Sequence, residues 1–467
     1  MAAEMTTSKT LEVTEVHRAE IRSHEGPLLI PRDMSIDQAI DLLQDRKAYL
    51  NKETAVNRTF LAFPWDGALA LQRVLTRRFG WVPATNTFGM FGQAIPPQTI
   101  SIEVGVNKSQ QVPWGKFKLP GIEGTLETGV RNSDGRALFS IKGVVRKLFE
   151  QQVEDIFQEV AEELRERSIY LGQAITVKFH DEEGELLEIP EVKFMPTDVD
   201  PEGLIFSRKL EAILETNLFT PITRSADCIR NGIPVKRGVL LGGTYGTGKT
   251  LAAAVAANRA VQAGVTYLHI TRADELKMAI KFARQYMNPA CVVFCEDIDR
   301  VMEGQRSVRM DDVLNIIDGV DGKTQHIITV LTTNHLENIN PAMLRPGRLD
   351  AVIEVTPPDG EAVERLLRYY GHGAITADTS LVEVGKVLDG QIPAVIGEVV
   401  KRAKLAELKR LPEGQYITNL SKEALLEAAE TMTMQINLLK PKAEDKVPRL
   451  DQAMLEVIDK AIENRTG

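Results

Sequence analysis

The chain has 467 residues, of which 43% are hydrophobic and 26% charged, with a formal net charge of −9. That length allows about three domains, the composition is that of an ordinary globular protein, and the acidic balance argues against a nucleic-acid coat. Of the three cysteines, Cys291 and Cys295 share one face of an expected strand, beyond disulfide reach, which fits reduced thiols and a cytoplasmic setting. Residues 1–26 are polar and lack the apolar core of a leader, and no apolar run approaches the ~20 residues of a membrane span, so neither a signal peptide nor a span is expected.

In chain order, residues 1–26 read as a flexible arm. Residues 27–200 read as an α+β domain that binds a substrate or partner. Ser35 is placed to cap a helix that runs to Leu50, with Ile36, Ala39, Ile40 and Leu43 at helical spacing. A mixed region containing Trp65, Trp81 and Trp114 follows. Alternation predicts strands at Thr99–Val104, Ala137–Val144 and Ile175–Phe179, and a long amphipathic helix over Val145–Arg167. From Pro201 to Pro357 strands and helices alternate, the pattern of a parallel sheet covered by helices. Strands are expected near 238–242, 266–270, 291–296, 327–332 and 351–355, and helices near 249–262, 273–286 and 310–318. After Pro357 the chain reads as helical, divided into 358–412 and a C-terminal extension over 413–467.

The most specific motif is Gly243-Thr244-Tyr245-Gly246-Thr247-Gly248-Lys249-Thr250, set between the apolar run Val239–Leu241 and the alanine-rich Leu251–Ala257. Glycines let the backbone curl so that N–H groups point inward, and the following helix start favours anions. Lys249 reaches the outer phosphates and the Thr250 hydroxyl can ligate Mg²⁺. Gly243 to Leu251 are therefore the expected nucleotide-binding residues of a P-loop fold. A second apolar strand ends in Glu296-Asp297-Ile298-Asp299. One acid would hold the metal and the other polarise the attacking water; Glu296 is assigned to the metal, with Thr250, and Asp297 to the water. Ile327–Thr333 ends at Asn334, an amide placed to orient that water or to touch the γ-phosphate. Arg345 and Arg348 stand in a short turn, Pro341–Asp350, and could face a neighbour's triphosphate.

Taken together, Gly243–Thr250, Cys295–Asp299, Thr332–Asn334 and Pro341–Asp350 resemble the AAA branch of the AAA+ ATPases. Asp311–Gly319 resembles the helix that precedes the second region of homology in that branch. The resemblance covers roughly 205–412. It implies ATP and Mg²⁺, a ring that is usually a hexamer, Asn334 as first sensor, Arg345 and Arg348 as arginine fingers, and 358–412 as a helical lid.

Three departures stand out. The acids run Glu then Asp, an order similar to that of the mitochondrial Rieske-protein translocase branch. Thr271–Phe282 carries no glycine and is shorter than the aromatic pore loop of protein-threading members; it reads as an amphipathic helix or as a loop projecting Lys277 and Met278. Gly390–Val399 replaces the usual adenine-contacting Gly-Ala pair, and no arginine is placed as a second sensor. The leading expectation is a chaperone-like Mg-ATP hydrolysing ring that remodels or translocates a macromolecular client, preferably protein. The alternatives are a nucleotide-gated assembly scaffold with slow hydrolysis and a DNA-handling loader or motor. For the last, the basic clusters are Arg73…Arg77-Arg78 and Lys142…Arg146-Lys147, which read more simply as solvated faces.

Overall fold

The computed structural model describes residues 34–88, 93–298, 326–336 and 349–439, and the chain divides into two units.

The first unit is built from residues before Ile169 other than 103–109 and 134–136. Helix α1 (Ile36–Leu50) starts with a reciprocal cap: the Ser35 hydroxyl accepts from the Gln38 N–H, and the Gln38 side chain accepts from the Ser35 N–H. Strand β1 (Glu53–Thr59) is followed by α2 (Pro64–Phe79), an element the sequence pattern does not separate from its aromatic surroundings. Next come the short β2 (Ala84–Thr85), β3 (Thr87–Phe88) and β4 (Ala94–Ile95), then β5 (Gln98–Gly105), β6 (Lys108–Trp114) and β7 (Lys116–Phe117). The long β8 (Gly124–Ser133) and β9 (Arg136–Arg146) form a hairpin that leads to α3 (Glu150–Arg167). One sheet has the order β1-β9-β8-β7-β2, while β3 pairs with β4 and β5 with β6.

Helices α2 and α3 pack against each other. Phe60 lies 5.7 Å from Phe139 and 6.3 Å from Phe157, ring centre to ring centre. Gly67 of α2 is required there: a Cβ would fall 2.1 Å from the Phe139 ring. Trp65 and Trp114 join this cluster edge to face at 5.5 Å, whereas Trp81 is 83% exposed. The basic residues of both clusters are paired. Arg73 and Arg77 reach the buried Glu163 of α3 at 3.5 and 3.2 Å, and Arg78 reaches Glu159 at 2.6 Å. Lys142, Arg146 and Lys147 pair with Glu127, Glu123 and Glu150.

The second unit centres on a sheet ordered β11-β10-β13-β14-β15-β12-β16. Its strands are β10 (Ala174–His180), β11 (Leu186–Phe194), β12 (Arg237–Gly242), β13 (Thr266–Ile270), β14 (Cys291–Cys295), β15 (Ile327–Thr333) and β16 (Ala351–Glu354). All neighbouring pairs are parallel except the β10–β11 hairpin. That hairpin corrects the sequence-based boundary at 200: Ala174, Ile175 and Thr176 register with Tyr267, Leu268 and His269 of β13, so residues 174–194 extend this sheet. Ala174 and Tyr267 share one buried apolar cluster, and alternation within 175–179 signals a strand without naming its partner.

Between β11 and β12 lie α4 (Arg208–Leu214), α5 (Thr220–Thr223) and α6 (Ser225–Arg230); α7 (Lys249–Gln262) and α8 (Leu276–Ala283) follow β12 and β13. Val239, Leu241, Ala252, Val255 and Ala256 lie fully buried in one core, which is why the apolar run and the alanine-rich run read so clearly as strand and helix. Asp359 caps α9 (Gly360–Gly371) by accepting from the Ala362 N–H at 2.9 Å. Helices α10 (Val382–Val387), α11 (Pro393–Leu408) and α12 (Lys422–Leu439) complete the helical subdomain. Its core includes Leu366, Leu367, Ile396, Val399, Leu425 and Ala429. Helix α12 thus belongs to the lid core, a second correction: the lid does not end at 412, because Leu420, Leu425 and Ala429 are buried against it. The helix expected at 310–318 and the C-terminal extension beyond 439 lie outside the described residues.

Candidate functional site

Strand β12 runs between β15 and β16, so its carboxyl end opens where the strand order reverses, the usual ligand crevice of such sheets. The chain leaves β12 into the glycine-rich loop. Gly243, Gly246 and Gly248 have φ of 152°, 76° and 105°. At Gly243 a Cβ would stand 2.3 Å from the Val355 carbonyl oxygen, so the turn admits no side chain. Lys249 is buried, and its amine donates to the carbonyls of Gly243 at 2.7 Å and Thr244 at 2.9 Å. The buried Thr247 hydroxyl donates to the Thr244 carbonyl at 2.9 Å. Thr244, Tyr245, Gly246 and Thr250 are exposed along the outer side of the turn, as is Leu251. Helix α7 begins at Lys249, so its first amides, which lack intrahelical acceptors, belong to the same end of the sheet.

Two acids, Glu296 and Asp297, follow β14. The Asp297 N–H donates to the Thr332 hydroxyl at 2.9 Å, and the Asn334 side-chain amide donates to the Asp297 carboxylate at 3.0 Å. Both partners come from the tip of β15, which adjoins β12. Asp297 adopts φ 43°, a left-handed conformation costly for a residue with a side chain. Glu296 acts electrostatically toward the opposite neighbour, β13. Burial raises the Tyr267 phenol well above its usual pKa, and the Glu296 charge adds to that rise. Burial lowers the His269 imidazole, and Glu296 opposes that shift. The Cys295 thiol is pushed up to about 12, first by burial and then by surrounding carboxylates that include Glu296 and Asp297. Such a thiol is protonated and inert at neutral pH.

The structure therefore brings Asp297 and Asn334 to the same carboxyl end of the sheet as the loop residues, with Glu296 directly after β14. Arg345 and Arg348 lie outside the described residues. Asp350 closes that stretch by accepting from the Gly238 N–H at 2.9 Å, while its own N–H donates to the Gly238 carbonyl at 2.8 Å. The segment 271–282 forms a tight turn and then α8, with Leu276, Ala279, Ile280 and Phe282 buried, so the amphipathic-helix alternative describes it. Three participants escape sequence reasoning. Thr332 had a usable signal, as a polar residue at the tip of an apolar strand. Phe206 and Ile392 have none: a Cβ on Gly248 would meet the Phe206 ring at 3.2 Å, and one on Gly246 would meet Ile392 Cδ1 at 2.8 Å.

Residues 239–357 match the model of the ATPase family associated with various cellular activities (AAA). The chain carries an AAA ATPase domain. Relatives of this domain include the ATP-dependent zinc metalloprotease FtsH of Caldicellulosiruptor bescii, 30% identical over 39% of this chain and 32% of its own length. FtsH of Corynebacterium glutamicum is 32% identical over 37% of this chain and 22% of its own. A cell division cycle protein 48 homolog of Archaeoglobus fulgidus is 25% identical over a longer stretch, 60% of this chain and 38% of its own. The chain thus spans well under half the length of these relatives. The matched AAA segment begins within β12 and ends just after β16, so the β10–β11 hairpin, the lid helices and the first unit lie outside it. Among the described residues no helix is long and apolar enough to cross a membrane.

Proposed function

We propose that the AAA domain hydrolyses Mg-ATP at the carboxyl edge of its sheet. We further propose that the chain works as a homo-oligomeric ring, a hexamer, in a cytoplasmic setting, and spends the cycle on remodelling or moving a protein client engaged by the first unit. The observation that carries the hydrolytic reading is the Asn334–Asp297 hydrogen bond at 3.0 Å: a carboxylate fixed beside the phosphate loop by an amide that can also hold the attacking water.

The donor set suits the ion. Thr250 and Glu296 would hold Mg²⁺, which draws off negative charge from the phosphates during transfer. Among the described residues no cluster of three metal-ligating side chains occurs, in keeping with an ion bound jointly by a hydroxyl, a carboxylate, waters and phosphate rather than in a protein cage. Lys249 would exchange the carbonyls of Gly243 and Thr244 for phosphate oxygens, both being acceptors for the same ammonium. Asp297 would take a proton from water held by Asn334. Arg345 and Arg348 would reach the phosphates of the adjacent subunit. "ATP-dependent" and "protease" in the names of the FtsH relatives favour ATP and a protein client. The DNA-handling alternative loses its motive, since the basic clusters of the first unit are matched by neighbouring carboxylates.

The test is ATP binding and turnover by the full chain and three variants. Lys249→Ala should lose binding. Asp297→Asn should keep ATP and lose turnover, and Glu296→Gln should need more Mg²⁺ for half-maximal rate. Full turnover by Asp297→Asn beside an inactive Glu296→Gln would reverse the two assignments. ATP-driven assembly that serves the client equally well with a non-hydrolysable analogue would replace the motor with a scaffold.

A further inference from the structure

We infer that Arg365 is a positioning residue for the nucleotide: it ties the lid to the strap that seats Phe206 behind the phosphate loop. The inference rests on the reading of that loop as a triphosphate site.

The strap is the segment 200–211, which precedes and opens α4. Its adjacent residues face different cores: Ile205 packs against the lid cluster, and Phe206 lies within the cluster beneath the parallel sheet. The strap is therefore the seam between lid and sheet. One stripe of α9, Glu361, Arg365 and Tyr369, is spaced four residues apart and meets it at three points. Tyr369 donates to the Asp200 carboxylate at 2.9 Å, and Glu361 accepts from Arg208 at 3.0 Å. Arg365 makes the central contact: one guanidinium nitrogen donates to Glu211 Oε1 at 2.7 Å and another to the Phe206 carbonyl. Glu211 Oε1 also accepts from the Phe206 N–H at 3.1 Å, so the carboxylate and the guanidinium together hold both main-chain polar groups of Phe206.

The three ties differ in strength. Arg208 and Glu361 are 66% and 62% exposed and their attraction is largely screened by water, whereas Arg365 and Glu211 are 24% and 27% exposed. A planar guanidinium that grips a carboxylate and a carbonyl also fixes direction as well as distance. What it fixes is close to the loop. The Phe206 ring backs Gly248 at 3.2 Å from where a Cβ would be, and Ile392, at the start of lid helix α11, reaches the Gly246 side of the same turn. The turn is thus touched from the strap and from the lid, and Arg365 sets the register between the two. Arg365 acts through Phe206 and through the placement of Ile392.

The experiment uses the full chain, a fluorescent ATP analogue with Mg²⁺, and steady-state turnover. Wild type, Lys249→Ala, Arg365→Gln, Arg365→Lys, Ile392→Ala and the Arg365→Gln/Ile392→Ala double variant are compared. The Kd should rise about tenfold in Arg365→Gln, within the usual range for coupling between sites, with recovery of part of the loss in Arg365→Lys. KM should rise more than kcat falls. The Arg365→Gln and Ile392→Ala effects on Kd should be less than additive, because both act through one lid placement. Wild-type affinity in Arg365→Gln, with Lys249→Ala binding nothing, would overturn the inference and leave the nucleotide reading intact. Full additivity in the cycle would overturn it as well. No binding by wild type would instead defeat the nucleotide reading on which it rests.

Discussion

At the residue scale, the proposed chemistry rests on one hydrogen bond, between Asn334 and Asp297. Asp297 is held three ways: its N–H by Thr332, its carboxylate by Asn334, and its backbone in a left-handed conformation that the surrounding strands must maintain. Removing the amide leaves the carboxylate in place without its orienting donor. Asn334→Ala should therefore lower kcat by roughly 10²–10³, the range for loss of one preorganised donor, and change the ATP Kd little. Single-turnover hydrolysis beside equilibrium binding checks this; a Kd that rises as much as kcat falls would assign Asn334 to ground-state binding. His269 offers a pH test. Burial lowers its folded pKa below the ordinary value of about 6.5, so on acidification the unfolded chain takes up the proton before the folded one does. Stability should then fall as pH drops from 7 toward 5, and His269→Gln should flatten that dependence, read from urea midpoints at several pH values. An unchanged slope would show that His269 is not the group responsible. The positions of these residues were legible to different degrees. The loop, Glu296, Asp297 and Asn334 follow apolar runs that fix where each strand ends. Phe206 and Ile392 reach the loop only through packing across distant segments, which no local pattern encodes.

At the element scale, strands buried on both faces announce themselves, and Val239–Leu241, Cys291–Cys295 and Ile327–Thr333 lie where their apolar runs put them. Helix α2 is hidden by its own composition. Pro64 looks like a break but sits at the first helical position, where no N–H is needed. Gly67 looks like a turn but makes room for Phe139. Strand β10 is legible at 175–179, whereas β11 is not, and neither is legible as part of the AAA sheet, because the partner of β10, β13, lies some ninety residues away in the chain. The position of the β10–β11 hairpin has a consequence for dissection of the protein. A fragment starting at Ile169 keeps the β10–β13 pairing, while one starting at Pro201 bares the β13 edge and the faces that covered Ala174 and Ile175. The longer fragment should unfold cooperatively in urea, and the shorter should aggregate or show a lower midpoint. Equal stability of the two would mean that the hairpin adds nothing to the sheet.

At the scale of the whole molecule, the proposed ring makes each active site depend on two subunits. The loop, both acids and Asn334 come from one chain, and none of these residues is an arginine. The sequence resemblance assigns Arg345 and Arg348 to a neighbour's triphosphate, and a closed ring is the arrangement that gives every site such a neighbour. Lys249→Ala and Arg348→Ala should each be inactive alone, the first because it holds no ATP and the second because it holds ATP without turnover. Mixed before assembly, they should regain activity. A Lys249→Ala subunit still offers Arg348, and an Arg348→Ala subunit still binds ATP, so about a quarter of the interfaces in a randomly mixed ring join the two intact halves. Turnover should peak near equal proportions of the variants and vanish at either extreme, with subunit mixing verified by mass. Persistent inactivity in rings shown to contain both variants would place Arg348 in its own subunit's site, and turnover by a dilute monomer would dispense with the ring altogether.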